Sequence, residues 1–164
     1  MKRSLNFRRR IFADAGATYT ARPLVPGGIG VERMIEGRVP SVLLVEDEAA
    51  VLAVLEDIFA FGGFEISTAS TASDALDLVE KSEFDLVVSD IELADGPDGI
   101  ELARIARLRR PTLKFLFISG RRSPTAHDRE RDNFMEKPFH PRELLGCAWE
   151  VMTRKPSSYQ RQRL

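Results

Sequence analysis

Cysteine and histidine are nearly absent from this sequence, and their scarcity excludes several kinds of site. Of 164 residues, one is cysteine and two are histidine. Cys147 has no second cysteine to pair with, so an internal disulfide is excluded and a reducing compartment is expected. His127 and His140 have no partners at metal-ligand spacing. We interpret both histidines as surface residues, and Cys147 and Trp149 as packing or surface residues.

Long apolar runs are also missing. No stretch approaches the ~20 apolar residues that a membrane helix needs, and the N-terminal region lacks the apolar core of a secretory signal. We therefore predict a cytoplasmic protein. Apolar residues make up 43% of the chain, as in globular proteins, and the length allows one domain with a real core.

The formal net charge is only −1, but the charges are unevenly distributed. Residues 1–38 carry eight Lys or Arg against three Asp or Glu, whereas residues 39–164 carry sixteen against twenty-two. Three interpretations of residues 1–40 stay open: a disordered basic segment, with Met34 as a possible true start; a basic arm for nucleic acid or an anionic surface; and a transit peptide. We predict a disordered segment over 1–40, one domain over 41–152 and a flexible basic tail over 153–164.

Short apolar runs bounded by turn residues dominate the predicted domain. Runs of this kind, almost without polar interruption, are typical of strands buried on both faces of a parallel sheet. The predicted strands are Val42–Val45, Phe64–Ala69, Leu86–Asp90, Lys114–Ile118 and Asn133–Glu136.

Helical periodicity fills the intervals between these strands. Helices are predicted over Ala49–Phe61, from Thr71 to about Lys81, over Gly99–Leu108, as a short turn within 121–132, and from Pro141 to about Met152. The residues predicted to face inward are Val51, Leu52, Leu55, Ile58, Phe59, Gly62, Ala72, Ala75, Leu76, Val79, Leu102, Ile105, Ala106, Leu144, Leu145, Ala148 and Met152. Strands that alternate with helices predict an α/β fold in which a parallel sheet is covered on both faces, that is, doubly wound.

Polar side chains follow four of the five predicted strands. They are Glu46 and Asp47, Asp90, Ser119 and Lys137. In a doubly wound sheet the carboxyl ends of the strands meet at one crevice. Three carboxylates brought together repel one another and require a cation, and oxygen-only ligands favour Mg²⁺ over zinc. A metal, a carboxylate nucleophile, an ammonium and a hydroxyl are together suited to accepting a phosphoryl group.

Over roughly residues 41–152 the chain resembles a response-regulator receiver domain, the phosphoacceptor half of two-component signalling. The resemblance rests on four motifs in the family's order, Val45-Glu46-Asp47-Glu48, Val88-Ser89-Asp90, Ile118-Ser119-Gly120 and Lys137-Pro138-Phe139. It implies a five-stranded flavodoxin-like (CheY-like) sheet with strand order 2-1-3-4-5.

The resemblance also implies the roles of the site residues. Asp90 would be phosphorylated, and Lys137 would pair first with Asp90 and then with the phosphoryl group. Mg²⁺ would be held by Glu46, Asp47, Asp90 and the main-chain carbonyl of Glu92. The protein is consumed as a substrate in this chemistry, so we do not predict a turnover enzyme.

A switch is implied as well, with Ser119 as its hydroxyl and Phe134 as its aromatic residue, and the Lys137-Pro138 bond is expected to be cis. Two departures from the family's pattern concern the output face. The loop after Asp90 lacks the frequent Met-Pro pair, and the segment from Ser119 to Lys137 is a few residues short, which puts the fourth helix in doubt.

The implied partners are a sensor histidine kinase or a histidine phosphotransfer protein. We find no segment long enough for a conventional output domain and expect a stand-alone receiver that signals by contact with an unidentified protein. A homodimer, if one forms, is expected through the face of the fourth helix, fifth strand and fifth helix. The alternatives are a phosphorelay intermediate, a DNA-associated regulator that uses the basic head, and a docking module without phosphorylation. Neither nucleic acid nor a membrane is a favoured partner.

Overall fold

The fold is known from a computed structural model that describes residues 38–120 and 133–154. The predicted short helix within 121–132, residues 1–37 of the basic head, His127 and the tail from residue 155 lie outside the described residues. In chain order the elements are β1 (Ser41–Val45), α1 (Ala49–Phe61), β2 (Glu65–Ala69), α2 (Ala72–Lys81), β3 (Leu86–Asp90), α3 (Gly99–Arg109), β4 (Phe115–Ser119), β5 (Asn133–Glu136) and α4 (Pro141–Thr153). Within these ranges no helix has the length and apolar character to cross a bilayer.

The five strands form one parallel sheet in the order β2-β1-β3-β4-β5. Val45 at the end of β1 pairs with Ser89 of β3, and Asp90 at the end of β3 pairs with Ile118 of β4. The predicted fold class and strand order are therefore confirmed, with four helices among the described residues. The chain passes from β1 to β2 on one side and then returns past β1 to β3 on the other. The direction in which strands are added therefore reverses between β1 and β3, and α/β sheets bind ligands at such a point.

The sheet separates two apolar cores. On one face α1 and α4 pack through residues such as Leu55, Phe59 and Leu144, and on the other α2 and α3 pack through Ala75 and Leu102. Strands β3 and β4 are buried along their whole length, which explains their continuous apolar sequences.

The predicted helix faces need small corrections. Ala103 and Val151 are buried, whereas Val51, Leu52, Gly62, Leu76, Ile105 and Leu145 are only half-buried. In α3 the buried residues are Gly99, Leu102, Ala103 and Ala106, so the face towards the sheet includes Ala103, whereas Ile105 is only half-buried.

The N-terminal edge of the sheet is held by an ion pair that sequence reasoning missed. Arg38 contacts Asp85 in a bidentate arrangement with distances of 2.7 and 2.8 Å, and the Ser41 N–H donates to Asp85 at 2.8 Å. Pro40 is buried, and its carbonyl accepts from the Glu65 N–H. Arg38 to Pro40 thus contact the sheet, although they belong to the segment 1–40 that was predicted to be disordered, and the domain boundaries stay a prediction.

Asp85→Asn should lower the free energy of unfolding by about 1–2 kcal/mol near neutral pH, because a half-buried charge-assisted network is lost. Burial alone would raise the pKa of Asp85, but the contacts with Arg38 and Ser41 outweigh it and leave this pKa below its ordinary value. Because the pKa of Asp85 is lower in the folded than in the unfolded state, its charged form stabilises the fold above the unfolded-state pKa of about 4. This contribution disappears as the pH falls through the folded-state pKa.

The difference between wild type and Asp85→Asn should therefore shrink with acidification, as measured by urea unfolding at several pH values. Glu83→Gln is the matched control, because Glu83 is exposed and pairs with Arg110 at 2.9 Å at the surface. Its effect should stay within about 0.5 kcal/mol. Equal effects of the two substitutions would contradict the role given to Asp85.

Candidate functional site

Carboxylates from β1 and β3 meet at the carboxyl edge of the sheet. Glu46 and Asp47 directly follow β1, and Asp90 is the last residue of the neighbouring β3. One side-chain oxygen from each of the three lies within 4.8 Å of the others. Glu46 is 2% and Asp90 8% exposed, whereas Asp47 faces solvent. The predicted convergence of these three acids is therefore present in the structure.

Lys137 reaches this cluster from the far side of β4. It follows β5, and its main-chain N–H donates to the Ser119 carbonyl at 2.8 Å, which extends the β4–β5 pairing by one residue. Its Nζ lies 2.6 Å from Asp90 Oδ2 and 2.8 Å from Glu46 Oε2. The Lys137-Pro138 peptide is cis, as predicted. One ammonium thus bridges two buried carboxylates that belong to different strands.

The charges of this group are set by opposing effects. Burial raises the pKa of Glu46, and the hydrogen bond from Lys137 offsets this only in part. Burial also acts to lower the pKa of Lys137, but the hydrogen bonds to Asp90 and Glu46 outweigh it, so the lysine pKa lies above its ordinary value. Lys137 is therefore a stable cation at neutral pH. Lys137 contacts two of the three carboxylates of the cluster, Glu46 and Asp90, and one ammonium leaves the three acids with excess negative charge.

The loop after β3 ties the carboxylates to the backbone. The Glu92 N–H donates to Asp90 Oδ1 at 2.9 Å, and the Ala94 N–H donates to Asp47 Oδ2 at 3.1 Å. These donors orient both side chains without neutralising them. The candidate metal ligands are the carboxylate oxygens of Glu46, Asp47 and Asp90. Negatively charged oxygen ligands fit a hard divalent cation such as Mg²⁺ rather than zinc. The proposed use of the Glu92 carbonyl as a ligand stays a prediction.

The start of α3 packs directly behind Asp90. Asp98 begins the helix by accepting a hydrogen bond from the Glu101 N–H at 2.8 Å. A Cβ atom at Gly99 would lie 2.2 Å from the Asp90 carbonyl oxygen and 2.9 Å from Ser89 Oγ. Only glycine fits at this distance, so Gly99 helps to position Asp90. The Asp98-Gly99 pair after a strand indicates the start of a helix in the sequence. The sequence does not give the distance between Gly99 and the Asp90 carbonyl oxygen.

Ser119 and Phe134 lie on the same side of the sheet. Ser119 is the buried last residue of β4, and Phe117 precedes it by two residues, so both side chains point to one face. Phe134 on β5 pairs with Phe117 and stacks on it with ring centroids 5.1 Å apart. The phenyl ring of Phe134 is half-buried against the core formed by α2 and α3. Their switch roles stay predictions.

The remaining polar candidates lie away from the cluster. Cys147 and Trp149 are half-buried against the core between α1 and α4, and Trp149 contacts Phe64 with ring centroids 5.1 Å apart. His140 is exposed as predicted, but it also begins α4, because its Nδ1 accepts from the Arg142 N–H at 3.2 Å. A histidine in this capping position has no strong sequence signature.

Comparison with known proteins gives a consistent result. Residues 42–148 match the family model described as the response regulator receiver domain. The chain is similar to the aerobic respiration control protein ArcA of Escherichia coli strain K12, with 29% identity over 119 residues. The match covers 70% of this chain and 49% of ArcA, so the chain spans about half the length of that relative.

Solved receiver structures are similar over nearly their whole length. The non-phosphorylated HemR receiver domain from Leptospira biflexa is 31% identical, with a TM-score of 0.62 over 73% of this chain and 99% of that one. The response regulator TrrA from Thermotoga maritima, solved in complex with Mg²⁺ and BeF, is 26% identical, with a TM-score of 0.59 over 69% and 99% of the two chains.

Gly99→Ala should lower the free energy of unfolding by about 2 kcal/mol or more, because the new methyl group forces α3 away from Asp90. Gly146→Ala is the matched control, since a Cβ there meets nothing within 4 Å in the middle of α4. That substitution should stabilise the protein by about 0.5–1 kcal/mol through helix propensity. Urea unfolding measures both, and a neutral Gly99→Ala would show that α3 does not press against the site.

Proposed function

The chain belongs to the response-regulator receiver family of two-component signalling, and from this premise we propose that Asp90 accepts a phosphoryl group in a Mg²⁺-dependent reaction. One contact carries most of the weight: Lys137 Nζ lies 2.6 Å from a carboxylate oxygen of Asp90 at the strand edge where the acids meet. An ion pair that only stabilised the fold would need no further acids beside Lys137 and Asp90. Phosphoryl transfer needs both a cation, which Lys137 supplies, and a metal site, which the neighbouring acids can form.

Asp90 is the nucleophile in this proposal. A carboxylate oxygen of Asp90 attacks the phosphorus of a phosphohistidine, so the new O–P bond forms as the P–N bond breaks. The electron pair of the P–N bond stays on the imidazole nitrogen. The Glu92 N–H, which lies 2.9 Å from Asp90 Oδ1, holds the carboxylate in one orientation for this in-line attack. The N-terminus of α3 packs against the Asp90 main chain at Gly99 and limits its movement.

Lys137 supplies the fixed positive charge. Before transfer its ammonium is shared between Asp90 and Glu46. After transfer the negative charge has moved outward onto the phosphoryl oxygens, and the flexible lysine side chain can follow it while still contacting Glu46. The half-buried surroundings strengthen this interaction relative to water.

Glu46, Asp47 and Asp90 would hold Mg²⁺, with the Glu92 carbonyl as a further ligand. The bound ion would neutralise charge on the phosphoryl oxygens. Asp47 is the exposed member of the group and leaves the site open towards solvent, and its Oδ2 is oriented by the Ala94 N–H. Glu46, in contrast, is enclosed and already bonded to Lys137. We therefore assign direct ligation mainly to Asp47 and Asp90.

Signal output would come from Ser119 and Phe134. Ser119 would bond a phosphoryl oxygen, and Phe134 would turn into the space that the hydroxyl leaves, so that one local charge biases two packed states. The stack of Phe134 on Phe117 supports this direction of movement, because it places the ring on the Ser119 side of the sheet.

A sensor histidine kinase or a histidine phosphotransfer protein would supply the phosphoryl group, and the chain would be consumed as the substrate rather than act as a turnover enzyme. A role as a phosphorelay intermediate uses the same site. A DNA-associated role would depend on the basic residues 1–38, most of which lie outside the described part of the chain, and the site itself gives it no support.

Asp90→Asn should reduce Mg²⁺-dependent labelling by a small phosphodonor such as acetyl phosphate to background, because an amide cannot form the acyl phosphate. Labelling is measured by mass spectrometry of the intact protein as phosphate that is labile to acid and to base, as expected of an acyl phosphate. Asp95→Asn, in the exposed part of the same loop, is the matched control and should be labelled like wild type. Undiminished labelling of Asp90→Asn would remove Asp90 from the proposed role.

Asp47→Asn should weaken Mg²⁺ binding by about tenfold or more, because a charged ligand is replaced by a neutral one. Isothermal titration calorimetry measures the affinity. Glu48→Gln removes the same charge from the adjacent exposed residue, which is not in the carboxylate cluster, and should change the affinity by less than about threefold. If both variants bind Mg²⁺ equally well, the metal site lies elsewhere.

A further inference from the structure

The loop between β3 and α3 reaches a carboxylate that belongs to the neighbouring strand. Leu93 in this loop is buried in the core that α2 and α3 cover, whereas the next residue, Ala94, has an exposed side chain. The Ala94 N–H donates to Asp47 Oδ2 at 3.1 Å, and Asp47 follows β1. Because Leu93 anchors the main chain beside it, the Ala94 donor is held at this point. The loop after one strand thus orients an acid that follows another.

The two buried acids of the cluster have donors on both carboxylate oxygens. Asp90 Oδ1 accepts from the Glu92 N–H at 2.9 Å, and Asp90 Oδ2 lies 2.6 Å from Lys137 Nζ. Glu46 Oε2 lies 2.8 Å from Lys137 Nζ, and Glu46 Oε1 accepts from the Glu48 N–H at 3.4 Å. An ion that bound either carboxylate through both oxygens at once would have to displace these donors. Both acids are therefore suited to binding an ion through a single oxygen.

Asp47 reaches the same condition by a different route. Its side chain is exposed, and the donor on its carboxylate comes from the loop rather than from Lys137. An exposed aspartate is free to rotate and to present both oxygens to an ion. The Ala94 N–H opposes this, because a donor held against Oδ2 keeps that oxygen engaged and orients the carboxylate. Ala94 thus determines how many oxygens the exposed acid of the cluster offers.

Mg²⁺ and Ca²⁺ differ in the oxygens that they require. Ca²⁺ takes about six to eight oxygen ligands and often binds both oxygens of one carboxylate, whereas Mg²⁺ demands near-octahedral geometry and combines one or two carboxylates with several waters. Acids that each offer one oxygen meet the requirement of Mg²⁺ better than that of Ca²⁺. The exposure of Asp47 leaves the site open to the waters that Mg²⁺ retains.

We propose that the Ala94 N–H determines cation selectivity: by engaging Asp47 Oδ2 it restricts Asp47 to one ligand oxygen and favours Mg²⁺ over Ca²⁺. This selectivity depends on the proposed function, in which Asp47 and Asp90 bind the ion. Ala94 acts through Asp47, so it is a positioning residue. The donor belongs to the main chain, and proline is the substitution that removes it, because proline has no N–H.

Ala94→Pro in the full-length chain should lower the ratio of the Ca²⁺ to the Mg²⁺ dissociation constant by about three- to tenfold. Mg²⁺ loses an oriented ligand, whereas Ca²⁺ gains a carboxylate that can bind through both oxygens. Isothermal titration calorimetry with each ion alone measures the two constants. The conservative variant Ala94→Ser keeps the N–H and changes only an exposed side chain, so its ratio should stay within about twofold of wild type.

Asp47→Asn separates selectivity from a general displacement of the loop. An amide has one carbonyl oxygen to offer an ion, with or without the Ala94 N–H. In the Asp47→Asn background, Ala94→Pro should therefore change the ratio of the two constants by less than about twofold. Leu93→Ala is a second test that keeps every N–H. It should lower the ratio in the same direction as Ala94→Pro, because it loosens the anchor of the loop.

Far-UV circular dichroism and urea unfolding show which variants are folded, and the ratio is compared among those. An unchanged ratio in the folded variants among Ala94→Pro and Leu93→Ala overturns the role of Ala94 and leaves the metal site of Asp47 intact. An equal change in Ala94→Ser or in the Asp47→Asn background overturns that role as well, as does a wild-type chain that binds Ca²⁺ as tightly as Mg²⁺. A wild-type chain that binds neither ion overturns the proposed function itself, and the selectivity with it.

Discussion

The ammonium of Lys137 joins the carboxylates of Glu46 and Asp90, and the whole sheet edge depends on this bridge. The three residues are separated by as many as 91 positions in sequence, yet the amine lies within 2.8 Å of both acids. Without the lysine, two buried carboxylates would face each other with no cation between them, which is far costlier than losing a surface ion pair. The same bridge holds the connection after β5, a strand of only four residues at the edge of the sheet.

The bridge also explains why a stable fold retains a reactive site. Burial disfavours the charge of Glu46, while Lys137 partly offsets that penalty without meeting the full charge of the three acids. The excess negative charge is tolerable because Asp47 is exposed. Groups held in this way, desolvated on one side and open on the other, are typical of functional sites rather than structural ion pairs.

Most of the fold and the position of the site followed from the sequence, because both depend on features that are local along the chain. Val42–Val45 and Leu86–Val88 are apolar without alternation, so each had to be buried on both faces, and parallel pairing then brings the carboxylates at their ends together. The topology converts residues at strand ends into neighbours, whatever the details of packing.

Features that depend on distances could not be predicted in the same way. From the sequence, Arg38 is only one of the charges of a basic head, and Gly99 is only the first residue of a predicted helix. The structure places Asp85 opposite Arg38, and it places the Asp90 carbonyl oxygen 2.2 Å from where a Cβ of Gly99 would lie. In α3 Ala103 is buried and Ile105 is only half-buried, although hydrophobicity alone favours the larger residue at an inward position.

The sheet separates the proposed switch from the two helices that follow the bridge residues. Phe134 packs against the core that α2 and α3 cover, whereas α1 and α4 cover the opposite face. Helix α1 begins three residues after Glu46, and α4 begins four residues after Lys137, so both helices are joined to the bridge by short connections. A phosphoryl group on Asp90 would therefore act on the two faces by different routes: on α1 and α4 through these connections, and on Phe134 through Ser119 at the end of β4.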